Sequence, residues 1–466
     1  MVTTPHALLG QARRAGTTVR DALAGRRGKG DRPRDSGGRD KDEGARDRDL
    51  RPFIVMLTSR FPFGAGEQFI EDELPVWCRA GARILLVPEK NDSPDVAPRP
   101  APECVEVDER LTRRWRSPWW RAVGLVEGVA SPVWRRELGH LRRLGRLDPR
   151  RVAFVTRTCV QVAVVRRMLG TLTRERGRID LAYAYWLSVS ADAAALERRE
   201  GRLGHAVARC HNADIYEDRH PMGHHPLVRQ VSGDLDLLTP IAQDGADFCV
   251  ERYGFDPDKV VVSRLGVDLP DAEAVCRPTG EGLTVISVST MTPFKRLDLL
   301  IDALAALSDA MPGVPVRWVH AGTGRLHDEL AARVTEVLEP RGIEVEWLGQ
   351  LDHDDLLAWY RDHEADVLVN TSSSEGIPVS MMEALVRQLP VIGTDVGGVR
   401  EIVPADWLLG PDPSPDEIAA AIVSRFGRIK DPQVRAELAE RTARRYDARH
   451  NFETFVSRLT ELAGQR

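Results

Sequence analysis

The chain lacks any run of about 20 apolar residues, the length that a helix needs to cross a bilayer. Its first residues, Met1 to Gly10, also lack the apolar segment of a secretory signal peptide. These two absences argue against a membrane-spanning or secreted protein. They predict a cytoplasmic protein, with the inner face of a membrane as the one surface where it could work.

Cysteine is scarce, and the charge is nearly balanced. The six cysteines form no CxxC pair, so we expect scattered reduced thiols rather than a disulfide framework or a structural zinc site. The net charge of -5 gives no basic excess that would favour nucleic acid. With 42% hydrophobic and 29% charged residues in 466, the composition is typical of a globular protein with two domains.

The composition divides the chain into segments. Residues 1–50 are rich in Arg, Asp and Gly and poor in apolar residues, which predicts a disordered tail. Residues 51–265 and 283–445 each alternate short apolar runs with helical patterns, which predicts two α/β domains of Rossmann type. Residues 266–282 carry several Pro and Gly and are predicted to be a linker, while residues 446–466 are predicted to form a terminal helix.

Ligands of such sheets bind at the carboxyl ends of the strands. One strand end is followed by residues that could bind a charged ligand. The predicted strand 367–370 is followed by a small polar loop, and Pro378 stands where a helix would begin. Free N–H groups between Gly376 and Ser380 would then make a seat for an anion such as a diphosphate. Glu375 precedes this helix and Glu383 lies inside it, about 7.5 Å further along the axis. Two such carboxylates suit sugar diols. Taken alone, however, two glutamates here are better explained by one that favours the helix dipole and one that is solvated on the helix.

This segment resembles a known family. Glu375, seven intervening residues, Glu383 and then the Gly397-Gly398 loop resemble the signature of the family 4 retaining glycosyltransferases. The resemblance implies the GT-B fold: an α/β protein with two facing Rossmann-like domains, an interdomain cleft, and a C-terminal helix that crosses back to the first domain. It also implies that Glu375 contacts the transferred sugar and Glu383 the nucleotide ribose. The backbone of Gly376 and Ile377, with Pro378 next to them, would cradle the diphosphate.

A second segment, Val285 to Leu300, resembles the first strand and turn of the family's nucleotide domain. The resemblance assigns Lys295 to the diphosphate, where a cation stabilises the leaving group without a metal or other cofactor. The arginine that the family carries five residues earlier is Thr290 here. Arg296 is the alternative source of a second positive charge.

In the first domain, the resemblance assigns Gly66 to the donor phosphates and Glu67 to the acceptor side. It places His211 near the sugar and Asp214 on the acceptor side, with Asn212 where the family often has glycine. A GxG sequence is also typical of an ordinary tight turn. A lone histidine is also typical of a structural position. Asp234–Asp236 and His224–His225 look like metal motifs, but nothing around them supports a metal site.

Residues 110–151 are strongly basic and contain four tryptophans: Trp115, Trp119, Trp120 and Trp134. Such a segment could lie on an anionic membrane, with the indoles at the headgroup level. The alternative is a solvated helical insertion whose aromatic side chains contact the core. The first interpretation would suit a lipid-linked acceptor.

The resemblance therefore predicts a metal-independent hexosyltransferase that moves a sugar from a nucleotide diphosphate sugar to a hydroxyl of a sugar or lipid-linked acceptor, with retention of configuration. A role in polysaccharide or glycoconjugate biosynthesis is expected by analogy. Two alternatives stay open: a nucleotide-sugar epimerase with the same fold, and a non-catalytic subunit that binds a sugar nucleotide.

Overall fold

The structure, a computed structural model, describes residues 51–64, 67–91 and 97–465. The predicted tail 1–50 and the predicted donor contact Gly66 lie outside these residues. Residues from Arg51 onward form one compact unit with two six-stranded sheets. The strands are β1 Phe53–Thr58, β2 Arg83–Pro88, β3 Val105–Val107, β4 Leu181–Ala184, β5 His205–Cys210, β6 Leu237–Pro240, β7 Leu283–Val288, β8 Val316–Ala321, β9 Glu344–Gly349, β10 Val367–Asn370, β11 Val391–Thr394 and β12 Leu408–Leu409.

Helices cover both faces of each sheet. They are α1 Phe69–Arg79, α2 Arg110–Arg116, α3 Pro118–Ala130, α4 Pro132–Arg143, α5 Pro149–Arg176, α6 Val189–Arg199, α7 Asn212–Ile215, α8 Val228–Val231, α9 Gln243–Phe248, α10 Leu297–Ala310, α11 His327–Val337, α12 His353–Asp362, α13 Val379–Val386, α14 Val399–Ile402, α15 Pro415–Lys430, α16 Pro432–Tyr446 and α17 Ala448–Gly464. In the described part of the chain, no helix is both long and apolar enough to cross a bilayer.

The two sheets share one topology. All strand pairs are parallel, in the orders β3-β2-β1-β4-β5-β6 and β9-β8-β7-β10-β11-β12. In each sheet the order of the strands reverses at its centre, between β1 and β4 and between β7 and β10. Crevices at such reversal points, outside the carboxyl ends of the strands, are where sheets of this kind bind ligands. The predicted α/β fold is confirmed.

Strand β1 shows why these apolar runs become central strands. All six of its residues are buried, and successive side chains point to opposite faces of the sheet. Val55 and Leu57 pack into the core shared with α5 and α6, while Ile54 and Met56 pack into the core shared with α1 and α17. A strand covered on both faces must be apolar throughout, which is the pattern that the sequence displays.

The segment between β3 and β4 consists of the four helices α2 to α5. Its longest helix, α5, has 28 residues and begins where the Asp148 side chain accepts from the N–H groups of Arg150 and Arg151, with Pro149 in the first turn. Helix α3 lies directly against α5 through Gly124 and Gly128. A Cβ added to Gly124 would stand 2.9 Å from the Val160 carbonyl oxygen, so only glycine permits this approach.

Two crossing segments join the halves of the molecule. Val267 pairs with Asp447, and the Val267 N–H donates to the Tyr446 carbonyl at 2.9 Å. A Cβ on Gly266 would lie 2.5 Å from the Ala448 nitrogen, so a glycine is required at this crossing. Helix α17 then returns to the first sheet, where Phe452, Phe455 and Leu459 are buried in its core. The predicted return of the C-terminal helix is confirmed.

The cysteine prediction is wrong for one pair. Cys78, in the last turn of α1, and Cys104, just before β3, form a disulfide with their Cα atoms 5.9 Å apart. They are 26 residues apart in sequence, and only the packing of α1 beside β3 brings them together. The other four cysteines, Cys159, Cys210, Cys249 and Cys276, are free and buried, as expected for small apolar core residues.

Candidate functional site

The carboxyl ends of the two sheets face each other across the loop 371–378, which follows β10. Arg219, in the segment after β5, donates from Nη2 to the Ser374 hydroxyl at 2.8 Å. Ile377 packs against the cores of both halves. The loop predicted to hold the donor therefore lies where the two reversal points meet.

Lys295 and Glu375 meet at the centre of this region. The Lys295 ammonium donates to Glu375 Oε1 at 2.6 Å, and the Asn370 side-chain amide donates to the same oxygen at 3.1 Å. Glu375 is 9% exposed. Asn370 also accepts the Ser372 N–H through its side-chain oxygen, which fixes the turn at the end of β10. The structure thus brings together two site residues that are 80 positions apart.

The N-terminus of α13 adjoins this ion pair. The helix begins at Val379, with Pro378 as the preceding cap residue in an extended conformation. Among the described residues, we find no hydrogen-bond partner for the N–H groups of Gly376, Ile377 and Ser380. These residues are partly exposed, so the amides stay available to a ligand. Free amides, the helix dipole and a lysine together suit a diphosphate.

The loop that contains Gly397 and Gly398 packs against the main chain of the donor loop, residues 371–378. The Gly398 N–H donates to the Gly376 carbonyl at 2.9 Å. A Cβ on Gly397, whose φ is +53°, would stand 2.1 Å from the Glu375 carbonyl oxygen. A Cβ on Gly398 would stand 2.6 Å from the Gly376 carbonyl oxygen. The Gly-Gly pair that carries the resemblance is thus required for the loops to lie this close.

Arg296 is placed differently from the prediction. Its Nε donates to the Thr371 carbonyl at 2.5 Å and its Nη2 to the Ser372 and Pro411 carbonyls at 3.2 and 3.0 Å. Its Nη1 pairs with Asp412 at 2.7 Å. The guanidinium therefore holds the loop 371–378 in place, because it donates to main-chain carbonyls of two loops, at Thr371 and Ser372 and at Pro411. The sequence could not show this, since the carbonyls belong to segments more than 70 residues away.

Glu383 has a partner that sequence reasoning missed. It is 4% exposed and accepts from His353 Nε2, in the first turn of α12, at 2.7 Å. This hydrogen bond to the carboxylate raises the pKa of His353. The His353 side chain is 60% exposed, whereas the Glu383 carboxylate beneath it is buried. No local signal in the sequence links these two positions.

In the first half, Glu67 braces the loop after β1. Its carboxylate accepts from the N–H groups of Ser59, Arg60 and Phe61 at 2.9, 2.7 and 2.7 Å. It also accepts from the Trp186 indole at 2.6 Å. Glu67 adopts a positive φ of 57°, which these bonds hold in place. Because the Glu67 carboxylate accepts from these four donors, it fixes the conformation of the loop after β1.

His211 and Asp214 follow β5. The His211 ring packs against the rings of Trp186 and Tyr185, with centroids 4.3 and 5.1 Å apart. Asp214 accepts from the His211 N–H at 2.5 Å and from the Leu187 N–H at 2.8 Å, so it ties the loops after β4 and β5 together. The His211 Nδ1 is buried without a hydrogen-bond partner in the described part of the chain.

The two sequence pairs that look like metal motifs are structural. Asp234 pairs with Arg199 and Asp236 with Arg198. His224 hydrogen-bonds to Glu137 at 2.7 Å, and His225 to the Leu187 carbonyl at 3.0 Å. Within the described ranges, no three His, Cys, Asp or Glu side chains are grouped as metal ligands.

One family model matches part of the second half of the chain. Residues 282–426 match the family model described as "Glycosyl transferases group 1". The chain is 29% identical over 322 residues to a D-inositol 3-phosphate glycosyltransferase of Salinispora arenicola, which covers 63% of this chain and 70% of that protein. It is 33% identical over 254 residues to an enzyme of the same description from Streptomyces bingchenggensis, which covers 48% of this chain and 53% of that one.

Solved structures share the whole fold at low identity. The apo form of the lipopolysaccharide outer core galactosyltransferase WaaB superimposes with a TM-score of 0.60 at 14% identity, covering 88% of this chain and 99% of that one. The Anabaena protein Alr3699/HepE in complex with UDP-glucose gives a TM-score of 0.56 at 17% identity, with the same coverage.

The two parallel six-stranded sheets, with helices on both faces, have the GT-B fold of these solved structures. Residues 282–426 form a domain that matches the glycosyl transferases group 1 family.

Proposed function

We propose that this protein transfers a sugar from a nucleotide diphosphate sugar to an acceptor hydroxyl with retention of anomeric configuration. The observation that carries the proposal is the pairing of Lys295 with Glu375 at 2.6 Å, directly before the free amides of α13. A cation and an acid at a helix N-terminus suit the two ends of a sugar diphosphate. The acid faces the sugar, and the cation and amides face the phosphates.

The remaining donor contacts follow from this placement. Glu383 takes the ribose hydroxyls in place of His353, because a carboxylate accepts two hydrogen bonds from a diol. Thr290 stands where relatives of this family carry an arginine, so Lys295 supplies the main positive charge at the phosphates. We propose that no metal is needed, since this cation and the helix dipole stabilise the leaving diphosphate.

The reaction then needs no protein nucleophile. The bond between the anomeric carbon and the diphosphate oxygen breaks, and its electron pair stays on the diphosphate. The acceptor oxygen bonds to the anomeric carbon on the same face, and its proton passes to the leaving phosphate oxygen. His211, held between Trp186 and Tyr185, lines the sugar side and positions it. We propose a hexosyl donor and a role in building a polysaccharide or glycoconjugate in the cytoplasm.

A turnover assay tests this proposal. The protein is incubated with a panel of nucleotide hexoses and hydroxyl acceptors, and nucleoside diphosphate release and product anomers are followed by NMR. We expect acceptor-dependent release and a glycoside with the anomeric configuration of the donor. An epimerised sugar nucleotide formed without acceptor would establish the epimerase alternative. Donor binding without any turnover would establish a binding subunit.

Helix α3 presents an apolar outer face that we propose rests on an anionic membrane. Trp119 and Val126 on this face are 70% and 71% exposed, and Leu125 is exposed beside them. Its inner face is fixed to α5 through Gly124 and Gly128, so the outer face cannot turn inward. Arg113 and Arg116 of α2 and Arg121 of α3 are exposed as well. Apolar side chains ringed by arginines match an anionic bilayer surface in both chemistry and charge.

Vesicle sedimentation checks the membrane proposal. The double substitution Trp119→Ser and Val126→Ser is expected to weaken binding to vesicles that contain phosphatidylglycerol by about tenfold, because two apolar side chains no longer enter the interface. Leu269→Ser, at an exposed apolar residue of the linker, is the matched control and should bind as the unaltered protein does. Equal binding by the double variant, or a dimer that this variant abolishes, would contradict the proposal.

A further inference from the structure

A cavity of about 410 Å³ opens at the carboxyl edge of the first sheet. Its walls come from the loops after β1, β2, β4 and β5 and from one face of α5. Ser59, Trp186 and Asp214 are shared between this cavity and the loops that frame the donor site. Its volume falls within the range of small-molecule sites, about 300–1,000 Å³.

Two buried carboxyl groups line this cavity, and neither forms an ion pair within the described residues. Asp192, in the first turn of α6, is 1% exposed, and its Oδ1 has no hydrogen-bond partner among the described residues. Glu89, directly after β2, accepts from the Ser190 hydroxyl and, at 3.4 Å, from the Ser188 hydroxyl. Burial raises the pKa of both groups. An unpaired buried carboxyl oxygen costs free energy unless a ligand hydroxyl reaches it.

The lining also contains uncharged polar side chains and aromatic side chains. Thr158 and Gln161 of α5 supply hydrogen-bonding groups, while Phe154 and Trp186 supply flat apolar surface. His225 lies in the wall, and burial lowers its pKa to about 4, so it is neutral near pH 7. Lys90 is the one lysine or arginine among the described lining residues, and it is exposed at the rim.

We propose that this cavity seats the acceptor and selects an uncharged polyhydroxylated ring over a phosphorylated one. The inference rests on the proposed transferase function and names its acceptor class. Hydroxyls of the ring donate to Asp192 and Glu89, and its C–H faces lie on Trp186 and Phe154. A phosphate group would lose its water among the carboxyl groups of Glu89, Asp192 and Asp214, and Lys90 is the one lysine or arginine of the described lining that could balance its charge.

Acceptor kinetics test the selection. Methyl α-glucopyranoside, methyl α-mannopyranoside and myo-inositol are compared with glucose 6-phosphate, mannose 6-phosphate and inositol 1-phosphate at saturating donor. Each uncharged probe is expected to react with at least about tenfold higher kcat/KM than its phosphorylated counterpart, which corresponds to about 1.4 kcal/mol. Higher kcat/KM for the phosphorylated probes would overturn the proposal.

Substitution of Asp192 tests the residue itself. Asp192→Asn keeps the shape of the side chain but weakens its hydrogen bonding, so the acceptor KM should rise about tenfold while the donor KM is unchanged. The control is Asp258→Asn, at an exposed aspartate outside the cavity, which should leave both constants unaltered. An unchanged acceptor KM in Asp192→Asn, in protein that still binds donor, would overturn the proposal.

Direct binding separates this inference from the proposed function. Saturation-transfer NMR with the methyl hexosides, in the presence of nucleoside diphosphate, detects acceptor contact without turnover. A signal that is lost in Asp192→Asn supports the cavity even if no transfer occurs, and the transferase proposal alone then fails. Turnover without any effect of Asp192→Asn on acceptor KM or on this signal would refute the cavity and leave the transferase standing.

Discussion

Lys295→Ala is expected to lower kcat about 10²–10³-fold, the loss found when one preorganised donor to a developing anion is removed. In the structure, Lys295 is the cation that contacts Glu375 beside the free amides of α13. As the diphosphate departs, its negative charge grows at this position, so the loss should fall on kcat more than on donor KM. Steady-state rates of nucleoside diphosphate release measure the effect.

Lys259→Ala is the matched control for this change. The Lys259 ammonium also makes two hydrogen bonds, to the carbonyls of Gly233 and Leu235, but it lies away from the donor loop. It should retain the rate of the unaltered protein. If Lys295→Ala kept that rate as well, the diphosphate would have to be held elsewhere, and the assignment of the donor loop would be wrong.

Glu383→Ala is expected to raise the donor KM about 10–100-fold with little change in kcat. The ribose lies far from the reacting carbon, so its hydrogen bonds to Glu383 are equally strong in the ground state and the transition state. A hydrogen bond to a charged group contributes about 1.5–3 kcal/mol, so the loss of one such bond already accounts for the size of the effect. Alanine is a good helix former, so α13 should persist. Donor saturation curves give the measurement.

The control for this change is Glu329→Ala, at an exposed position in the first turn of α11. It alters the charge of the second half by the same amount without touching α13, and its donor KM should be unaltered. A Glu383→Ala protein with unchanged donor KM and reduced kcat would place Glu383 at the sugar rather than at the ribose.

The fold could be predicted from the sequence because parallel strands covered on both faces are continuous apolar runs. Phe53–Thr58 and Arg83–Pro88 are largely apolar runs that form strands, and Val367–Asn370 is a strand over the predicted residues. Helix α5 was not predicted, since it packs between the sheet and α2–α4 and its buried residues do not form a single stripe. Buried positions on several sides remove the helical periodicity on which such predictions depend.

The donor side of the site could be predicted in part. The Glu375–Glu383 spacing and the loop before α13 were visible locally, and Lys295 lies beside Glu375 in the structure. The roles of Arg296 and Glu67 could not be read from the sequence, because their partners are main-chain groups and an indole supplied by other loops. The pairing of His353 with Glu383 depends on the packing of α12 beside α13, which no local pattern encodes.

The same limit applies to the acceptor cavity. Glu89, Asp192 and Phe154 come from segments that are far apart in the chain and that converge only at the carboxyl edge of the first sheet. Taken singly, each residue looks like an ordinary strand end or helix residue. Glu89 and Asp192 are buried by the fold, and neither forms an ion pair within the described residues. This distinguishes the cavity from the donor site, where Lys295 pairs with Glu375.

Calorimetric titration of the protein with a nucleoside diphosphate and the matching monophosphate, both in the presence of a chelator, tests the central claim most directly. If the second phosphate is held by Lys295 and the amides of α13, the diphosphate should bind at least about tenfold more tightly, and Lys295→Ala should remove most of that difference. Equal affinity for the two nucleotides, or a difference that survives in Lys295→Ala, would contradict the account.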